Sequence, residues 1–294
     1  MSGPFPFDEL VALIGDRLGT FDIPCPQCGP QGQRTAANQR RRVLRIWHPE
    51  PSFVTFYCAR CTISGYAIDG GREPVSRAVL EKTRRKAEAL ERETAGDRRA
   101  MARWLWLNHK PITGTIAECY LREARGISGT LPGTLGFLPA DKDYPPALIA
   151  AFGLPVEPEP GVLEISHTQV EGVHLTRLLP DGLGKDERVP SKIMIAKSLG
   201  WPIVLAPVND SGGLAIVEGI EDGLSVLTVT GLGVWVAGCA SRLPALAERV
   251  PDYACITIFA DADSDGARHA AELRRRLRAR QLFAATAKLP EAAR

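Results

Sequence analysis

Two short apolar runs in this sequence end in carboxylates: LAIVEGIEDGLS at 214–225 and TIFADADSDG at 257–266. Glu218 closes the first run, and Asp222 follows on what the pattern predicts as the first turn of a helix. Asp261 and Asp263 close the second run two residues apart, with Asp265 just beyond. Asp265 also suits the N-cap of the final helix. In open α/β sheets, ligands sit outside the carboxyl ends of the strands, so both clusters are expected on one rim. Carboxylates gathered without compensating charge repel and raise one another's pKa. A divalent cation removes that penalty, and magnesium is held by a few carboxylates, water and substrate phosphates. The chemistry expected here is metal-dependent phosphoryl transfer, with Mg2+ or Mn2+.

A second set of residues points to a different metal. Cys25 and Cys28, in CPQCG, and Cys58 and Cys61, in YCARC, form two CxxC pairs with 29 residues between Cys28 and Cys58. Each CxxC turn aims two thiolates at one ion, Gly29 relieves the first turn, and four sulfurs make a closed structural zinc site. His48 lies between the pairs, but four cysteines already complete the ligand set, so it is expected at the surface or against nucleic acid. Between the knuckles the chain is basic and aromatic, QRRRVLRIW then FVTFYCAR. Arg41, Arg42 and Arg45 suit contact with a phosphate backbone, and Trp47 suits stacking on single-stranded bases. About half of the aromatics, from the set Trp47, Phe53, Phe56 and Tyr57, are expected in the core of so small a ribbon.

These residues need elements to hold them. An amphipathic helix, FDELVALIGDRLG, is expected ahead of the cysteines, and the stretches VLRIW and FVTFYC read as strands. Residues 75–108 are charged and free of proline, with a break between two helices expected at Gly96. A helix entered through Thr113 or Thr115 and stopped at Gly126 comes next, then a hairpin turning at Pro180-Asp181-Gly182. From 211 onward strands alternate with helices, SRLPALAERV being one, which implies a parallel sheet with right-handed crossovers. The expected division is a β zinc ribbon at 1–70, a helical connector at 71–110, a mixed α+β subdomain at 111–210 and an α/β catalytic domain at 211–294.

At 294 residues the chain has room for two domains or three small ones. A net charge of +2 conceals arginines crowded at 34–45 and 268–280, compatible with a polyanionic partner or with solvated helix faces. No run approaches the roughly 20 apolar residues of a membrane span, and the N-terminus lacks the pattern of a signal peptide. A cytoplasmic protein with no membrane partner is expected.

IVEGIEDGLS followed by IFADADSDGARHAA resembles the Toprim fold, whose pattern is a glutamate after the first strand and a DxD after the third. Carried onto this chain, the resemblance implies Glu218, Asp261 and Asp263 as catalytic acids. Asp222 matches the extra acid of the primase form, EGxxD, and Gly219 and Gly266 match the motif glycines. A four-cysteine ribbon ahead of such a domain is similar to bacterial and phage primases. Residues 165–197 and the segment IAECYLREARGI are similar to primase-like proteins of phages, plasmids and integrated elements. The resemblance implies a DNA primase that joins ribonucleoside triphosphates on a single-stranded DNA template. Glu218 would bind metal or assist proton removal, and Asp261 and Asp263 would hold metal and triphosphate. Asp222 would serve in support or at a second ion. Arg177, Lys185, Lys192 and Lys197 are the candidate contacts to triphosphate or template. GLGKDE at 182–187 lacks the spacing and final Ser/Thr of a Walker A motif, so a separate replicative helicase is a candidate partner. Two other readings stay open: a Toprim-type nuclease, in which the same acids direct water at a phosphodiester, and a catalytically silent nucleic-acid-binding accessory protein.

Overall fold

The structure, a computed structural model, describes residues 4–29, 39–69, 77–142, 144–188, 190–196, 198–260 and 264–288. It divides into two compact units, Met1–Thr94 and Ala95–Arg294.

In the first unit, α1 (Phe7–Ile14) buries Leu10, Val11 and Ile14 along one side and ends at Gly15 in the left-handed conformation. Strands β1 (Gly19–Pro24), β2 (Arg42–Glu50), β3 (Phe53–Cys58) and β4 (Ser64–Ile68) form an antiparallel sheet in sequence order. The period-2 pattern of β2 sorts its side chains: Leu44, Ile46 and His48 are buried, while Arg45 and Trp47 are half-buried. Leu44 stands opposite Cys58 and Ile46 opposite Phe56, so one face of the sheet forms a core with Leu10 and Ile14.

Helix α2 (Arg77–Leu107) is continuous, and the break expected at Gly96 is absent. A lone glycine costs about 1 kcal/mol relative to alanine, which a long run of good helix formers absorbs. Tertiary contacts also fix the C-terminal half. Arg99 pairs with Glu171 at 3.0 Å, Arg103 donates to the Thr168 carbonyl at 2.8 Å, and the Trp106 indole donates to the Ile165 carbonyl at 3.0 Å.

Two sheets build the second unit. The first is antiparallel, in the order β11-β10-β7-β6-β5, from β5 (Lys110–Pro111), β6 (Leu135–Leu138), β7 (Ala147–Phe152), β10 (Gly172–Arg177) and β11 (Lys192–Ile195). A small ribbon, β8 (Val156–Glu159) with β9 (Val162–Glu164), lies outside it. All six residues of β7 are buried, because both faces are covered. Ile149 and Ala151 meet Ala102 and Trp106 of α2, while Leu148, Ala150 and Phe152 join a core with the second sheet. Helix α3 (Ile116–Cys119) starts after Thr115 and continues as a π-turn over Tyr120–Ala124, with Gly126 just beyond, between the ends marked in the sequence. Such π-turns are frequent at functional sites.

The second sheet has the order β12-β14-β13-β15-β16, from β12 (Ile203–Ala206), β13 (Gly213–Val217), β14 (Gly233–Val236), β15 (Cys255–Phe259) and β16 (Ala284–Ala287). The last four are parallel, as the alternation of strands and helices implies; β12 adds an antiparallel edge from ahead of residue 211. Helix α4 (Ile220–Thr230) buries Ile220 and Leu224 against the face shared with the first sheet. The other face carries Ile216, Ile256 and Ile258 against Leu273 and Leu277 of α5 (Ser264–Ala279). SRLPALAERV, expected as an ordinary helix, winds as a 3-10 helix over Ala240–Glu248. Pro244 lies inside it and offers no N–H to an i−4 carbonyl. The fold is therefore a mixed α/β chain with a parallel C-terminal sheet and a cysteine-bearing β ribbon. No helix among the described residues is long and apolar enough to cross a membrane.

Candidate metal centres and the acidic rim

The sulfurs of Cys25, Cys28, Cys58 and Cys61 all lie within 4.8 Å of one another. Cys25–Cys61 is 3.9 Å and Cys28–Cys58 is 3.7 Å. A tetrahedron with Zn–S of about 2.3 Å has S–S edges of about 3.8 Å, so this donor set fits a closed structural zinc site. The first knuckle is shaped by Gly29, whose N–H donates to the Cys25 carbonyl at 2.9 Å. A Cβ there would lie 2.6 Å from that oxygen, so only glycine fits. The thiols resist collective ionisation on their own. Burial and the neighbouring sulfurs push Cys28 up to about 12. Burial also opposes ionisation of Cys58, yet the backbone N–H groups of Cys61 and Arg60 hold it below the ordinary thiol value. A cation at the centre resolves that conflict.

His48 corrects an expectation. It is only 2% exposed, its Nδ1 lies 3.0 Å from the Arg17 carbonyl, and Phe7 meets it edge-on. Its place at a buried register position of β2 makes it a core residue. Phe53 and Phe56 are also buried, whereas Tyr57 is 43% and Tyr66 38% exposed. The register sets Arg45 opposite Tyr57, Trp47 opposite Thr55, and Thr55 opposite Tyr66. Trp47, Tyr57 and Tyr66 thus share the face turned away from the core. On that face Arg45 is engaged by Asp22 in a two-pronged pair at 2.7 and 2.8 Å. Arg41 and Arg42 are exposed.

In the second unit, β13 and β15 are parallel neighbours whose last paired residues are Val217 and Phe259. The segments after them therefore leave the sheet at one end. Glu218 is half-buried there, and its carbonyl accepts the Gly238 N–H at 2.9 Å. Asp222 is half-buried in the first turn of α4, folded over Gly219: a Cβ on Gly219 would stand 2.6 Å from Asp222 Oδ2. The sequence thus provides a carboxylate cradle that any larger residue would fill. Asp261, Asp263 and Lys197 lie outside the described residues. Asp265 stands exposed in the first turn of α5, paired with Arg268 at 3.1 Å. Among the described residues, the cysteines are the one group of three or more ligands close enough to share an ion. Glu218 and Asp222 supply hard oxygen donors that fit part of a Mg2+ or Mn2+ site.

A network that the sequence did not disclose borders these acids. Glu221 Oε1 accepts the Tyr120 hydroxyl at 2.7 Å and Lys185 Nζ at 2.6 Å, and Arg125 Nε donates to the Tyr120 oxygen at 2.9 Å. The side chains of Lys185 and Glu221 are only 18% and 15% exposed. Burial opposes ionisation of Glu221, but Lys192, Lys185 and the two hydrogen bonds outweigh it and hold the carboxyl at about 2. Burial and the Glu221 carboxylate push the Tyr120 phenol well above its ordinary value. Lys192 is exposed on β11, and Arg177 donates to the Pro190 carbonyl at 3.4 Å. His174 lies 2% exposed, with Nδ1 lacking a hydrogen-bond partner. Burial, then Lys192, pull its pKa down to about 4. Tyr120, Lys185 and Glu221 stand 65 and 36 residues apart in turn, so no local pattern links them.

Residues 96–205 match the family model of a domain of unknown function (DUF7146), and residues 213–292 match that of the Toprim domain. No curated protein matches the chain. Among solved structures, the zinc-binding and RNA polymerase domains of the Aquifex aeolicus primase align at 14% identity over 96% of this chain and 77% of that one, with a TM-score of 0.41. The primase fragment of the bacteriophage T7 primase-helicase protein aligns at 11% identity over 90% of this chain and 89% of that one, with a TM-score of 0.36. Residues 213–292 are thus similar to the Toprim domain family, and β13, the first of their parallel strands, ends at Val217, one residue before Glu218.

Proposed function

We propose that the chain is a DNA-dependent primase that makes short RNA primers on single-stranded DNA by nucleotidyl transfer. The observation that carries the reading is the joint presence, in one chain, of a four-sulfur ribbon and a Toprim domain. A phosphodiester-forming site needs acids for a divalent ion and a separate surface for template. Zinc would be structural, held by Cys25, Cys28, Cys58 and Cys61. Trp47, Tyr57 and Tyr66 offer π-faces for bases, Arg41 and Arg42 offer charge for the backbone, and Arg45 would do so only on leaving Asp22.

In this reading Glu218, Asp222, Asp261, Asp263 and Asp265 hold Mg2+ or Mn2+, which would supply charge neutralisation on the phosphates and polarise the attacking hydroxyl. Glu218 would bind metal or assist removal of the proton from the 3′-hydroxyl. Lys192, Arg177 and Lys197 contact the triphosphate or template; Lys185 does so only on leaving Glu221. A separate helicase would supply the unwound strand. The test is primer synthesis from ribonucleotides on a library of single-stranded templates with Mg2+ or Mn2+. The wild type makes primers, and Asp261→Ala makes none. Metal-dependent loss of labelled DNA without added nucleotides would instead select the nuclease reading, and no turnover of either kind the accessory one.

A further inference from the structure

Among the described residues, the two most exposed large apolar side chains are Tyr253, at 72%, and Phe283, at 68%. They are distant in the chain yet stand at one end of one sheet. Tyr253 lies two residues before β15 and Phe283 one residue before β16, and these strands are parallel neighbours paired from Ile256↔Ala284 onward. The Ile256 N–H donates to the Phe283 carbonyl at 3.0 Å, so the ladder runs up to the aromatic residue itself. This is the end where the strands begin. The acidic segments leave the other end, about 15 Å away along strands of five residues.

Cations flank the aromatic pair. Helix α5 buries Gly266, Ala270, Leu273 and Leu277 and carries five arginines against two acids. Arg274 and Arg278 lie one turn apart on the flank of α5 next to β16, where Arg278 donates to the Ala284 carbonyl at 3.4 Å, one residue past Phe283. Arg280 pairs with Asp252, one residue before Tyr253. Exposed rings alone would suit many apolar partners. Rings beside guanidinium groups match a chain that offers both bases and phosphates: bases stack on aromatic faces, and phosphates accept paired hydrogen bonds from arginine. We propose that Tyr253, Phe283, Arg274 and Arg278 form a second holding surface for single-stranded DNA, separate from the ribbon and from the acidic rim. The choice of DNA over RNA rests on the primase reading, and nothing else in the proposal does.

The experiment is fluorescence anisotropy of labelled oligothymidylate, with oligouridylate in a second arm, on the full, zinc-loaded chain over a range of salt. No nucleotides are added, and thermal unfolding is followed in parallel. Tyr253→Ser/Phe283→Ser is expected to weaken oligothymidylate binding about tenfold or more, through the loss of two stacking faces. Arg274→Gln/Arg278→Gln is expected to weaken it at low salt and to flatten the slope of log K against log salt by about 1.4, as two lost phosphate contacts imply. Wild-type affinity and slope in both folded variants overturn the proposal and leave the aromatics to a protein partner. A wild type that binds no oligothymidylate overturns it too, as does a loss confined to oligouridylate. Should the aromatic variant fail to fold, the slope of the arginine variant decides. Because binding is read without nucleotide joining, the surface can fail this test while primer synthesis stands, and the reverse.

Discussion

The cysteine cluster and the acidic rim are both gatherings of anionic ligands, yet they are built on opposite principles. The cluster is self-completing: four donors from two knuckles stand at the edge lengths of a zinc tetrahedron. The rim, in the proposed function, is open: Glu218 and Asp222 would supply only part of an ion's coordination, and beside them Glu221 is paired with Lys185. A closed site stabilises a fold, while an open one leaves room for substrate. The contrast makes separable predictions.

The largest effect belongs to the closed site. Removal of zinc, or Cys58→Ala, is expected to unfold the ribbon, since structural zinc binding contributes on the order of 10–16 kcal/mol. Hydrogen exchange should then show loss of protection in β2 and β3 and unchanged protection in β7 and β13. Retained protection in β2 after zinc removal would break the comparison.

A smaller effect is expected at the rim. Gly219→Ala places a Cβ 2.6 Å from Asp222 Oδ2 and must displace the carboxylate. Displacing the end of a half-buried side chain costs little stability, so the expected result is weaker Mn2+ binding with the fold retained and zinc content unchanged by elemental analysis. Mn2+ binding at wild-type strength would show that Asp222 takes no part in the open site.

A third effect, spread over a pH range, is a pH dependence of stability. His174 has a folded pKa lowered from 6.5 to about 4, so as pH falls from 6.5 the unfolded chain takes up the proton first. Stability of the second unit present above pH 6.5 is therefore lost progressively down through pH 4. Glu221, held at about 2 against an ordinary 4.5, adds a further loss below pH 4.5. His174→Gln should flatten the upper part of that slope, read as unfolding temperature against pH, and leave the lower part intact. An identical slope would mean that other groups set the acid stability.

Much of this was legible in the chain because it is encoded locally. The CxxC spacing, the alternation in VLRIW and the strand–helix alternation after 211 each depend on residues a few positions apart, and each has its counterpart in the structure. Local reading failed where a distant contact or an adjacent element outweighed it. Gly96 signals a break, but Arg99, Arg103 and Trp106 tie the helix down beyond it. His48 has the polarity of a surface residue, yet its register position on β2 buries it. Lys185 reads as a free basic contact, yet it is committed to a carboxylate.

By itself the sequence determined the types of chemistry available: four thiols for one ion and a set of carboxylates at strand ends, since both follow from backbone periodicity and turn geometry. Only the tertiary structure decided which acids face which cations. Glu221, in the first turn of α4, finds its partners far away in the chain. Those partners, Tyr120 and Lys185, come from segments that meet only once the two sheets of the second unit have packed.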